Sequence, residues 1–189
     1  MDDWTVLDGP ADEVAPRLLG CELEREINGV LVRVRIVETE AYMQSDAASH
    51  SYRGRTPRTD VMFGPAGHLY VYFTYGMHYC MNIVCGQENE GAAVLIRAVE
   101  PLAGEAALAA NRIGRSGVEL TNGPAKLCQA LGIDRMWNGH DLREPPFRLI
   151  LRPALAPGTI VQTTRVGITQ ARDVPWRFYE RGNPYVSRI

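Results

Sequence analysis

Apolar and polar residues alternate in several short stretches of this 189-residue chain, and those stretches lay out a sheet. Cys21 to Ile27 and Val30 to Glu40 read as strands joined at Asn28-Gly29, a dipeptide suited to a tight hairpin because both positions tolerate positive φ. Leu69 to Phe73 and Met77 to Val84 read as a second hairpin, and Ile160 to Ile168 as a late strand. Three segments read as helices. Ala11 to Leu19 follows Pro10 and stops at Gly20, Ala103 to Arg112 comes later, and Pro124 to Leu131 is bracketed by Asn122 and Gly132. Strands interrupted by helices, without regular strand–helix alternation, predict an α+β domain around a mostly antiparallel sheet. No repeat, low-complexity tract or linker divides residues 1–189, which read as one domain.

Composition narrows the class. The chain is 46% hydrophobic and 22% charged, a globular profile. No apolar run approaches the roughly eighteen residues of a membrane span. The start, Met1-Asp2-Asp3-Trp4, lacks the basic and apolar regions of a signal peptide. Cys21, Cys80, Cys85 and Cys128 form no CxxC pair, so reduced intracellular thiols are expected, in a cytoplasmic type of protein. The net charge of −2 argues against nucleic-acid binding if taken alone. Its distribution tempers that objection, because His50 to Arg58 carries Arg53, Arg55 and Arg58 and no acid. Lys126 is the only lysine. Arginine grips phosphate bidentately.

Two stretches carry candidate chemistry. In Val30 to Glu40 the even positions share one apolar face, with Arg33 and Arg35 on the other. If the strand stays regular, Glu38 and Glu40 continue the buried face, where a carboxylate beside a cleft could deprotonate a water. Taken alone, this feature reads more simply as two glutamates past the core, paired with nearby arginines. The second stretch is the aromatic hairpin, Leu69 to Ile83. A three-residue loop Thr74-Tyr75-Gly76 would pair Phe73 with Met77 and Tyr72 with His78, placing Tyr70, Tyr72, His78, Cys80 and Asn82 on one face. A two-residue loop would separate Tyr72 from Asn82. Tyr75 stands at the tip either way, as an ordinary exposed tyrosine or as a wedge entering a base stack.

Six segments, in order, resemble the alkyladenine (3-methyladenine) DNA glycosylases. They are Val37 to Tyr42; Tyr70-Val71-Tyr72 with Tyr75-Gly76-Met77; Cys80-Met81-Asn82; Leu95 to Pro101; Asn122 to Leu127; and Arg177 to Gly182. The likeness runs from about Leu18 to the C-terminus and is to the mammalian type, so the chain reads as a bacterial member. It implies a curved, mostly antiparallel sheet with flanking helices and a protruding hairpin that probes DNA. It implies Glu40 as general base with Arg97 beside the nucleophilic water. Tyr42, His50, Tyr72 and Asn82 would bind the flipped base, Asn82 rejecting guanine through its 2-amino group, and Tyr75 would fill the gap in the duplex. Arg53, Arg55, Arg58 and Lys126 are the candidate phosphate contacts. His50 lies ten residues past Glu40, one fewer than in mammalian relatives. Ala125 stands where relatives often have glycine or serine.

The expected activity is monofunctional base release from double-stranded DNA containing damaged purines, by a monomer associated with the nucleoid. No metal or other cofactor is expected. A zinc nucleobase deaminase is the rival enzyme, since His78, Cys80 and Cys85 lie close in sequence, but its His-x-Glu and Pro-Cys-x-x-Cys patterns do not occur. A non-catalytic DNA- or RNA-binding module is the rival of another class. Such a binder would gain nothing from a carboxylate beside the phosphates.

Overall fold

The computed structural model describes residues 3–187. Helix α1 (Ala11–Arg17) precedes strands β1 (Glu22–Ile27) and β2 (Val30–Tyr42). Strands β3 (Leu69–Thr74), β4 (His78–Val84) and β5 (Ala93–Ala103) follow, then helices α2 (Glu105–Asn111) and α3 (Pro124–Leu131). Three short strands close the chain: β6 (Phe147–Ile150), β7 (Ile160–Thr163) and β8 (Arg177–Glu180). All eight described strands join one antiparallel sheet, six of them in the order β3-β4-β5-β2-β1-β6. β8 lies against the second half of β2 and carries β7 on its other edge. The α+β expectation holds.

Local chemistry accounts for the elements that matched. Asn28 and Gly29 take φ of 51° and 80°, so Ile27 pairs directly with Val30 across a two-residue turn. Pro124 opens α3, where its missing N–H costs nothing, and Gly132 ends it at φ 61°. Leu127, Cys128, Ala130 and Leu131 of α3 are buried, as are Val14 and Ala15 of α1. Both helices pack into the same apolar cluster as Val34 and Ile36 of β2, Met81 and Ile83 of β4, and Val94 and Ile96 of β5. One face of the sheet is therefore a sealed core.

Several boundaries differ from expectation. β5 runs to Ala103, and Gly104 at φ 74° starts a shorter α2, so the helix does not begin at Ala103. The late strand ends at Thr163, and Val166 to Gln170 leave the sheet to wall a cavity. The aromatic hairpin has a three-residue loop, but it is Tyr75-Gly76-Met77. Thr74 pairs with His78 and Tyr72 with Cys80, replacing the expected Tyr72–His78 pairing. A shift of two residues preserves the sides, so Tyr70 lies opposite Asn82.

The most consequential difference lies in β2. Val30 is exposed rather than buried. Pairing with β5 is irregular between Ile36 and Thr39, and the alternation slips by one residue there. Val32, Val34 and Ile36 face the core, but beyond the irregularity Thr39 and Ala41 take that side. The Thr39 hydroxyl donates to the Ala15 carbonyl of α1 at 2.9 Å. Glu38 and Glu40 are fully buried, yet they have been turned onto the face of Arg33 and Arg35.

Candidate active site

A cavity of about 450 Å³ opens on that second face. Tyr42, His50, Tyr72, Asn82 and Arg97 all line it, with Tyr70, Tyr75, Cys80, Leu95 and the loop Val166–Gln170. Glu40 sits immediately behind this wall, with no solvent exposure. Its three partners, Tyr42, Arg97 and Val166, form part of the lining.

The two glutamates are bound differently. Glu38 accepts Arg97 Nε at 2.9 Å, Arg177 Nε at 2.7 Å, the Ser187 peptide N–H at 2.6 Å and the Ser187 hydroxyl at 2.9 Å. Glu40 Oε1 accepts the Val166 N–H at 2.8 Å and lies 3.2 Å from Arg97 Nη1, while Oε2 accepts the Tyr42 hydroxyl at 2.8 Å. A carboxylate offers about four acceptor sites, so the three donors to Glu40 leave room for one water. Arg97 bridges the pair. Burial alone would lower its pKa, but Glu40 and Glu38 outweigh that and hold it above the ordinary value. Burial, then the Glu40 charge, push the Tyr42 hydroxyl up, so it stays protonated and donates.

Aromatic rings make the opposite wall. The His50 ring stands edge-on to Tyr72 at 4.5 Å between centroids, and its Nδ1 lies 3.0 Å from the Tyr70 hydroxyl. The residue keeps solvent contact, but packing of its ring and then the Arg58 charge lower its pKa to about 4. The imidazole is neutral at pH 7. Burial also raises Tyr72 and the Cys80 thiol, which favours their uncharged forms. Asn82 is buried and its side-chain amide donates to the Tyr70 carbonyl at 3.0 Å, which fixes it in the wall.

At the rim, Tyr75 is 82% exposed at φ 52°, beside Gly76 at φ 68°. Phe73 and Met77 flank it and are also exposed, giving the tip an apolar surface. Arg53 and Arg58 are exposed, and Arg58 lies 5.8 Å from the Tyr72 ring centre. Arg55 is more committed. It donates to the Phe63 carbonyl and to Asn89, both at 3.0 Å, and approaches Asp60 at 3.6 Å. Lys126 meets Glu119 at 2.9 Å and Asn122 at 2.8 Å, so a carboxylate already stands where an external phosphate was the expected counter-charge.

Several residues around this site gave no functional signal in the sequence. Asp46 and Arg165 form a fully buried ion pair beside Tyr42, and Ser187 closes over Glu38. Val166 contributes only a peptide N–H, which no side-chain pattern can report. Arg177 fell within a family motif but without a role. The cysteines of the zinc rival diverge: Cys80 lines the cavity, Cys85 lies in the apolar core and His78 is exposed. Among the described residues no three His, Cys, Asp or Glu groups are placed to hold a metal, and no helix is long and apolar enough to cross a membrane.

Comparison with known proteins bears on the family of the chain. A family model described as methylpurine-DNA glycosylase matches residues 5–184. A protein of Carboxydothermus hydrogenoformans is 53% identical over 176 residues, covering 93% of this chain and 92% of its own length. One of Methanoculleus marisnigri is 52% identical over 178 residues, with 93% and 92% covered. One of Nitrosospira multiformis is 47% identical over 176 residues, with 93% and 88% covered. All three bear the name "Putative 3-methyladenine DNA glycosylase".

Proposed function

The chain belongs to the methylpurine-DNA glycosylase family, and from that premise we propose that it is a monofunctional DNA N-glycosylase acting as one domain and as a monomer. It extracts alkylated or deaminated purines, of the 3-methyladenine and hypoxanthine types, from duplex DNA. Flipping costs a few kcal/mol, least for damaged or mispaired bases, which favours lesions from the start. Tyr75 fills the vacated stack while the purine enters between Tyr42 and Tyr72. His50 offers it a neutral ring nitrogen, and Asn82 excludes the 2-amino group of guanine. Arg53 and Arg58 meet backbone phosphates, and Arg55 and Lys126 do so only by loosening their internal contacts.

Base release is a hydrolysis. Glu40 takes a proton from a water whose oxygen bonds to C1′ of the sugar, and the C1′–N bond breaks with its electrons going to the purine. A cationic alkylpurine leaves as a neutral base. Hypoxanthine lacks that positive charge and depends more on pocket contacts. The protein's task is to orient the water and stabilise the cationic sugar, which one placed carboxylate can do. No amine is needed, so the strand stays intact at the abasic site.

The observation that carries this reading is Glu40, a buried carboxylate with spare acceptor capacity behind an aromatic cavity. The test uses purified protein and a duplex with one alkylated purine. Abasic sites should form, strand breaks should appear only after alkali, and borohydride should trap no protein–DNA adduct. Binding without base release would leave only a recognition module, and a trapped adduct would replace the water with an amine.

A further inference from the structure

Asp46 and Arg165 are 119 residues apart in sequence, and neither side chain has any solvent exposure. Arg165 engages both Asp46 oxygens in a forked pair, with Nη2 donating to Oδ1 at 3.0 Å and Nη1 to Oδ2. Nη1 also donates to the Ala41 carbonyl at 2.9 Å. Asp46 Oδ1 accepts the Ala48 N–H at 3.0 Å. The guanidinium packs against the Tyr42 ring at 4.8 Å and Trp176 at 5.3 Å from the ring centres. One residue on, the Val166 N–H donates to Glu40. A single ion pair thus ties together the end of β2, the turn leading to His50 and the loop after β7.

A buried pair of this kind is a poor source of stability, because desolvation offsets much of its attraction. Arg165 Nε has no hydrogen-bond partner among the described residues, which adds to that cost. Holding the chain together would be served as well by apolar side chains. A flat cation against one pocket ring, followed directly by a donor to the carboxylate, serves geometry instead.

We propose that Asp46 and Arg165 are positioning residues for base release, with Arg165 setting the plane of Tyr42 and, through the Val166 N–H, the orientation of Glu40. The inference rests on the glycosylase reading of the cavity. Neither residue touches the purine. Their effect falls on the chemical step and on stacking of the extruded base, and leaves capture of the duplex largely alone.

The test compares Arg165→Lys, which keeps a charge for Asp46 but loses the fork and flat face, with Arg165→Met, which keeps length without charge. Base release is measured in single turnover with saturating enzyme, alongside lesion-duplex affinity, the thermal midpoint and the quenching of a fluorescent purine lesion on extrusion. In both variants release should fall about 10- to 100-fold, the scale of a misplacement near 1 Å. Lesion-duplex affinity should stay near wild type, and quenching should weaken. Folded variants with wild-type release and quenching would overturn the proposal. So would a loss of release that merely follows the loss of folded protein, including failure of both variants to fold. If Arg165→Met alone fails to fold, Arg165→Lys decides. Wild-type protein releasing no purine would overturn the glycosylase reading itself, whereas normal wild-type release with unaltered variants would overturn only this proposal.

Discussion

Glu38 and Glu40 stand two residues apart on β2, equally buried and sharing Arg97, but they occupy two different kinds of environment. Around Glu38 every partner is fixed: two guanidiniums and both donors of Ser187 converge on it. Around Glu40 the partners belong to the cavity wall, namely a tyrosine hydroxyl, a loop peptide and the second arm of Arg97. The first region looks inward and joins strands to the C-terminal segment. The second leaves an acceptor site beside a cavity lined by aromatic rings. Burial alone therefore does not distinguish one carboxylate from the other. The difference lies in whether the partners saturate it and whether they border a space.

That contrast can be broken most forcefully at Glu38. Removing its charge with Glu38→Gln takes the shared anion from two buried guanidiniums and should cost about 3–5 kcal/mol of stability. Urea unfolding would read this, and Glu40→Gln should cost clearly less. Equal losses would erase the structural side of the comparison.

A smaller effect sharpens the pocket side. Tyr75→Ala should leave stability unchanged, since the side chain is exposed, and weaken the flipped state by about 1–3 kcal/mol, the usual scale for one stacked base. Equal extrusion of a fluorescent base in both proteins would remove the wedge. Asn82→Ser should raise excision of guanine from mispairs, and an unchanged guanine rate would show that Asn82 does not set the selectivity. The smallest effect is expected at Arg53, where Arg53→Ala should flatten the log–log salt dependence of binding by about 0.9, the value for one lost phosphate contact on B-DNA. An unaltered slope would make Arg53 a solvated loop residue.

Legibility in the sequence followed the range of the forces involved. The Asn28-Gly29 hairpin and α3 between Pro124 and Gly132 depend on local φ preferences and caps, which neighbouring residues declare. β5 was not read as a strand, because Ala93 to Val99 is buried on both faces and shows no alternation. β6 and β8 are four residues each, too short for a periodic signal. The sidedness of Glu38 and Glu40 was misread, since regular alternation cannot anticipate an irregularity that arises from pairing with β5. Hairpin alternation placed Tyr70, Tyr72, Cys80 and Asn82 on one face, whereas Tyr42, His50 and Arg97 entered only through the family resemblance. Asp46 and Arg165 had neither, as their meeting depends on the whole fold.

The most direct test of the account is single-turnover base release by Glu40→Gln and Glu38→Gln, measured side by side and normalised to folded protein. Glu40→Gln should bind the lesion duplex but release base about 10²- to 10⁴-fold more slowly, the usual range for a general base. Folded Glu38→Gln should release it at close to the wild-type rate. Near-normal release by Glu40→Gln together with its loss in Glu38→Gln would contradict the account and move the reactive carboxylate to Glu38.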